Sequence, residues 1–95
     1  MRFSRTPQFK DDYEGLTEVE KLDVENAFGK IALALQGNNE YFRLYRIKKM
    51  EGWPGIWEGH IKDNLCFVFH YKVTDDGEKT CWFRRVGKHN IYRRP

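Results

Sequence analysis

Three histidines carry most of the proton-transfer chemistry this sequence can offer: His60 in "WEGHIK", His70 in "CFVFHYKV" and His89 in "CWFRRVGKHNIYRRP". Imidazole titrates near neutrality and can serve as acid or base. His89 also stands among five cations, Arg84, Arg85, Lys88, Arg93 and Arg94. Two imidazoles ringed by positive charge suit the cleavage of RNA by its own 2'-hydroxyl. That reaction needs a base for the hydroxyl, an acid for the departing 5'-oxygen and cations for the pentacoordinate transition state. His60 and His89 are the candidates for proton transfer, Arg85 and Lys88 for charge stabilisation, and Arg93 and Arg94 for neighbouring phosphates. Tyr92 and Phe83 could stack a base.

Each of these residues also has a plainer reading. A histidine near a strand is commonly a surface or hydrogen-bonded structural residue, arginine pairs are usually solvated, and a terminal "RRP" is often mobile. His70, inside an apolar run, reads as structural. No metal or cofactor is expected, because the three histidines fall on different elements with no thiolate pair nearby. There is no phosphate-binding glycine loop and no nucleophile elbow.

The chain that must position these groups has 95 residues, enough for one domain over 1–95 with one modest core. With 40% hydrophobic and 16% aromatic residues it is too apolar to remain disordered despite 33% charged residues. No apolar run is long enough to span a bilayer and "MRFSRTPQF" has no signal-peptide apolar region, so a cytoplasmic protein is expected. Charge is unevenly distributed. Residues 1–40 carry five Lys/Arg against eight Asp/Glu, and residues 41–95 carry twelve against six. A back half with that excess of cations suits a polyanionic partner.

The periodicity predicts an α+β fold, an N-terminal helical hairpin packed on a four- to five-stranded, mostly antiparallel sheet. "RFSRT" reads as a first strand. Thr6-Pro7 starts one helix, ended by Gly15, and Thr17 with Glu20 makes a capping box for a second. Val24, Phe28, Ile31 and Leu35 form that helix's apolar stripe, and Gly37 stops it. "YFRLYRIKKM" alternates more like a strand than a helix. "IWEGHIK" puts Trp57, Gly59 and Ile61 on one side and Glu58, His60 and Lys62 on the other. "NLCFVFHYKV" is a central strand returning through a turn at Asp76-Gly77 into "TCWFRRV".

That turn pairs Tyr71 with Trp82, Phe69 with Arg84, Phe67 with Val86, Cys66 with Gly87 and Lys72 with Cys81. Phe67, Phe69, Tyr71 and Val73 then face the helices. Cys66, Val68 and His70 share the other side with Cys81, Phe83 and Arg85, and the register keeps the two thiols apart. If the Glu58-His60-Lys62 face joins it, that open side presents His60, Arg85 and His70, and His89, just past Gly87, can fold over the same surface.

The order of parts resembles a known family. An opening strand with "RTPQF", a helical hairpin and a sheet ending in "VGKH" are similar to the RelE/ParE superfamily of toxins from type II toxin-antitoxin systems. "HIKDN" followed by "FHYKVTD" resembles the histidine-bearing strand and "YKLTD"-type run of its YafQ-like mRNA interferase branch. "FRRVGKH" resembles that branch's "FERTGTH"-type ending, and "GIWEGHI" the Trp-containing strand of YoeB-type toxins. The resemblance implies a ribosome-dependent mRNA endonuclease that cuts in the A site by 2'-hydroxyl attack without a metal. Its partners would be a cognate antitoxin, the 70S ribosome and the mRNA in its A site.

Carried over, His60 matches the strand histidine, Arg85 the phosphate-stabilising arginine and His89 the carboxy-terminal catalytic histidine. Tyr92 falls near, but out of register with, the terminal aromatic. RelE has lysines and arginines where this chain has Glu58, His60 and Cys66, and Lys48, Lys49 or Lys62 would compensate. The RNA-binding set is thus Lys48, Lys49, Lys62, Lys88, Tyr92, Arg93 and Arg94. A ParE-type toxin that inhibits DNA gyrase without chemistry would not need two histidines on one face, and a small RNA-binding regulator is a third reading.

Overall fold

Thr6 and Thr17 open the first two helices as their hydroxyls predict. In the computed structural model, which describes residues 1–95, Thr6 Oγ1 accepts from the Phe9 amide at 3.1 Å, ahead of α1 (Pro7–Glu14). Thr17 and Glu20 exchange the two hydrogen bonds of a capping box ahead of α2 (Glu18–Leu35). Both caps satisfy amides that the first turn leaves without an intrahelical partner. Along α2, Val24, Ala27, Ile31 and Ala34 are buried, with Phe28 and Leu35 packed against them.

The sheet has five strands in the order β1-β5-β4-β3-β2, with β1 (Arg2–Arg5) parallel to β5 (Lys79–Gly87). The remaining pairs, through β4 (Leu65–Val73), β3 (Trp57–Lys62) and β2 (Lys48–Lys49), are antiparallel. The fold is therefore α+β with a mixed sheet. α1 makes its main packing with β5, and α2 with α3 (Asn39–Leu44) and β3. The front half thus meets the rest of the molecule element by element, with Phe9 and Phe28 both reaching the Phe83 ring.

The segment expected to be one strand, "YFRLYRIKKM", is instead α3 followed by the two residues of β2. Asn38 Oδ1 caps the Tyr41 amide at 2.9 Å, and Tyr41 and Phe42 pack on the main core. A cap and tertiary burial outweigh a weak alternation.

The β4–β5 hairpin also departs from its expected register. Its turn is the five-residue Thr74–Glu78 loop, closed by Thr74 N–H donating to Glu78 O at 2.9 Å, with Gly77 at φ 83°. Beside the turn Tyr71 pairs with Cys81 and Phe69 with Phe83, one residue away from the expected pairs. A bulge at Arg84 then restores the expected alignment, so Phe67 pairs with Val86 and Cys66 with Gly87. Because a one-residue slip exchanges faces, Cys81 and Phe83 lie in the helix-facing core and not beside Cys66. Both cysteines are buried free thiols in separate clusters.

A second irregularity, between His60 and Lys62, turns Lys62 away from the face it was expected to share with Glu58 and His60. Its ammonium sits 2.7 Å from Asp23 of α2. Gly59, on the core face of β3, lies directly over the Phe67 ring, where a Cβ would stand 2.3 Å from Phe67 Cζ.

The main core fills the helix side of the sheet, while Met50, Cys66, Val68 and Ile91 form a smaller cluster on the opposite side. Ile91, 3% exposed, belongs to a terminal 3-10 helix (His89–Arg93) that packs on β4 and β5. Burying such a side chain contributes about 1.5–3 kcal/mol, enough to seat a short terminal turn. No helix is long and apolar enough to cross a membrane.

Candidate active site

β3 points Glu58 and His60 away from the helices, and β4 places Cys66 directly across from His60. Gly87 is the partner of Cys66 on β5, and the chain turns there into the terminal helix. A Cβ at Gly87 would stand 3.1 Å from Ile91 Cγ2, so the tight return of Ile91 over the sheet favours glycine. Anchored by Ile91, the helix brings His89 and Tyr92 over His60.

The three rings form a triangle, with centroids 5.7 Å apart for His60 and His89, 6.4 Å for His60 and Tyr92, and 5.6 Å for His89 and Tyr92. His60 Nδ1 lies 3.4 Å from Cys66 Sγ and its Nε2 lies 3.4 Å from the Tyr92 hydroxyl. The Glu58 carboxylate, buried at 9% exposure, stands 4.0 Å from His60 Nε2 and 4.0 Å from Lys48 Nζ. The Tyr45 carbonyl accepts from the His60 amide at 2.7 Å and fixes the backbone at this point.

This environment holds His60 in its neutral form. Burial lowers its pKa first, and the charges of Arg46, His89 and Lys48 lower it further, with Asp63 opposing. Burial pushes the Cys66 thiol up, and burial with the hydrogen bond to Cys66 pushes the Tyr92 phenol up. At neutral pH the floor of the site is thus an uncharged imidazole, with one N–H and one lone-pair nitrogen, between a protonated thiol and a protonated phenol. His89 sits exposed at its rim.

Beside His60 an open cleft of about 480 Å³ is lined by Phe42, Arg43, Arg46, Ile47 and Lys48. Arg46 has φ 49°, a left-handed conformation uncommon for a residue other than glycine. Its guanidinium pairs loosely with exposed Asp63 at 3.6 Å. Arg43 and Arg46 were not singled out by sequence reasoning, which took their segment as a strand. Their spacing near Lys48 at the end of α3 was the available signal.

The other expected site residues are placed as follows. Arg85 is forked on Asp12 of α1, at 2.6 Å and 3.1 Å, and also donates to the Arg94 carbonyl at 2.9 Å. Asp12 further accepts from the Val86 amide at 3.2 Å. Lys62 is paired with Asp23, and Lys49 lies over the Trp57 ring at 5.7 Å. Lys88 and Arg93 are exposed at the two ends of the terminal helix. His70 Nδ1 lies 3.2 Å from an Arg84 nitrogen, a hydrogen-bonded position outside the triangle.

No protein-family model matches the sequence, and no curated protein does. Solved structures do match. YafQ from E. coli strain BL21(DE3) superposes with a TM-score of 0.65 at 20% identity, over 96% of this chain and 97% of that one. The fold is that of the RelE/ParE-type toxins. A YoeB/ParE toxin from Agrobacterium tumefaciens shares it, with a TM-score of 0.63 at 20% identity over 94% of this chain and 99% of that one. So does the E. coli DinJ-YafQ toxin-antitoxin complex, with 0.53 at 23% identity over 94% and 92%. Within this toxin fold the present chain places its ring triangle on the sheet face opposite the helices.

Proposed function

We propose that this protein is the toxin of a type II toxin-antitoxin system and cleaves messenger RNA on the ribosome. The observation that carries the reading is the His60–His89–Tyr92 triangle opening onto the cleft lined by Arg43, Arg46 and Lys48. Neutral His60 takes the proton of the attacking 2'-hydroxyl. The oxygen then bonds to phosphorus, giving a 2',3'-cyclic phosphate, and the P–O5' bond breaks. His89, exposed at the rim, gives its proton to the departing 5'-oxygen. Arg46 and Lys48 offset the charge on the phosphoryl oxygens, and Tyr92 stacks or orients the nucleotide.

Arg85 was expected to stabilise the phosphate. With its charge met by Asp12, its part in this reading is to tie the carboxy-terminal segment to α1 and so hold His89 and Tyr92 in place. Lys88, Arg93 and Arg94 contact the backbone of the message or ribosomal RNA. Lys49 and Lys62, engaged by Trp57 and Asp23, contribute less. A cognate antitoxin, acidic and partly apolar, covers the basic cleft when the toxin is held silent.

The test is induction in cells of the wild type, His60→Ala and His89→Ala, with new RNA 5' ends mapped on translated and untranslated copies of one message. Cuts restricted to translated message and lost in both variants are expected. Growth arrest with intact transcripts would move the function to a protein target such as DNA gyrase, and cutting that survives His89→Ala would remove the mechanism.

A further inference from the structure

His60, Cys66 and His89 carry no metal signature in their sequence spacing, yet the fold brings one donor atom from each within 4.8 Å of the others. Donors around a tetrahedral ion, bound at about 2.0–2.1 Å for nitrogen and 2.3 Å for sulfur, stand roughly 3.3–3.6 Å apart. His60 Nδ1 and Cys66 Sγ are already at that spacing, 3.4 Å. They are held there by direct pairing of β3 with β4. His89, exposed on the terminal helix, supplies the third donor, within 4.8 Å of both.

Two further features fit a ligand. With Nδ1 turned to the sulfur, the other nitrogen of His60 has the Tyr92 hydroxyl at 3.4 Å and the buried Glu58 carboxylate at 4.0 Å, just beyond hydrogen-bond distance. A carboxylate behind a ligating imidazole fixes its tautomer and strengthens it as a donor. The site also has a buried floor at Cys66 and an exposed rim at His89, which leaves an entry path from solvent.

We propose that His60, Cys66 and His89 form a three-ligand site for a thiophilic d10 cation, Zn2+ or Cu+, with Glu58 as the orienting carboxylate. A thiolate with two imidazoles suits these ions and not Mg2+ or Ca2+, which take oxygen donors. On binding, the S–H bond of Cys66 breaks, its proton passes to solvent and the sulfur bonds to the ion. No electron is transferred. The binding claim stands on the coordinates of the three donors alone; only its consequence, that an occupied site would tie up both proton-transfer histidines, rests on the function proposed above.

The experiment uses the full chain, freed of metal, with no RNA present. Co2+ serves as a spectroscopic probe for the Zn2+ arm, and Zn2+ and Cu+ are each titrated against a competing chromophoric chelator. A thiolate-to-cobalt charge-transfer band is expected in the wild type. It should vanish in Cys66→Ser and Cys66→Ala, both checked for cooperative melting, while His89→Gln binds at least tenfold more weakly. Glu58→Gln should keep the band but lose about 10- to 100-fold in affinity. The two constants show which of the ions these donors hold more tightly. Absence of the band in the wild type with no Cu+ binding, or a Cys66→Ala protein that binds as tightly as the wild type, would overturn the proposal. Failure of RNA cleavage in cells would leave this result untouched.

Discussion

His60 Nδ1 stands 3.4 Å from Cys66 Sγ while His60 Nε2 stands 3.4 Å from the Tyr92 hydroxyl, so one imidazole is held at both nitrogens by groups from two other elements. The ring is oriented before any substrate arrives, and burial keeps it neutral. Orientation and protonation state together make it the strongest candidate base in the molecule.

Replacing His60 or His89, the pair proposed to transfer protons, should reduce cleavage by about 10²- to 10⁴-fold, the usual weight of a positioned acid or base. His89 is exposed, so His89→Ala should melt with the wild type. Cleavage assays and thermal melts on one preparation separate lost chemistry from lost fold.

Ile91→Ala should act at a distance. Removing a side chain that is 3% exposed costs about 2–5 kcal/mol when the site cannot collapse, and here it unseats the helix that carries His89 and Tyr92. A lower denaturation midpoint with a larger loss of cleavage at temperatures where the protein is still folded is expected. Full activity in a destabilised protein would show that the terminal helix does not need this anchor.

The Asp12–Arg85 pair distinguishes positioning from direct phosphate contact. The side chains are 13% and 20% exposed, and Asp12→Ala also leaves the Val86 amide unpaired, so a loss of about 1–3 kcal/mol is expected. Arg85→Ala and the double variant complete a cycle in which the two effects should be strongly non-additive in both stability and cleavage. Independent effects on cleavage would mean that Arg85 acts on the phosphate without Asp12.

Stability should fall on acidification. His60 and His70 both have pKa values lowered from the ordinary 6.5, each chiefly by burial. Below that value the unfolded chain binds protons that the folded state resists, so the stabilisation is complete above 6.5 and is lost as pH falls through the lower folded values. Melting temperature measured from neutral to mildly acid pH should therefore drop, and the double variant His60→Gln, His70→Gln should flatten the dependence.

Local chemistry was legible from the sequence alone: Thr6-Pro7 and the Thr17–Glu20 box act on their own neighbours, the α2 stripe needs only its own period, and "WEGHIK" alternates cleanly. The pairings of Cys66 with Gly87 and of Phe67 with Val86 were legible as well, although the register beside the turn was not. A five-residue turn shifts every pair by one and the bulge at Arg84 shifts them back, and neither irregularity has a strong local signal. α3 was hidden because its helix depends on packing of Tyr41 and Phe42 against the core, and with it went Arg43 and Arg46 as cleft residues.

What the sequence by itself determined was the supply of chemistry: two histidines on separable segments, a cationic back half and the caps that begin the helices. What only the tertiary structure decided was which groups meet. Asp12 takes Arg85, Asp23 takes Lys62, and Cys66 joins His60 and His89, because strand register and the burial of Ile91 bring together residues whose side chains carry no information about one another along the chain.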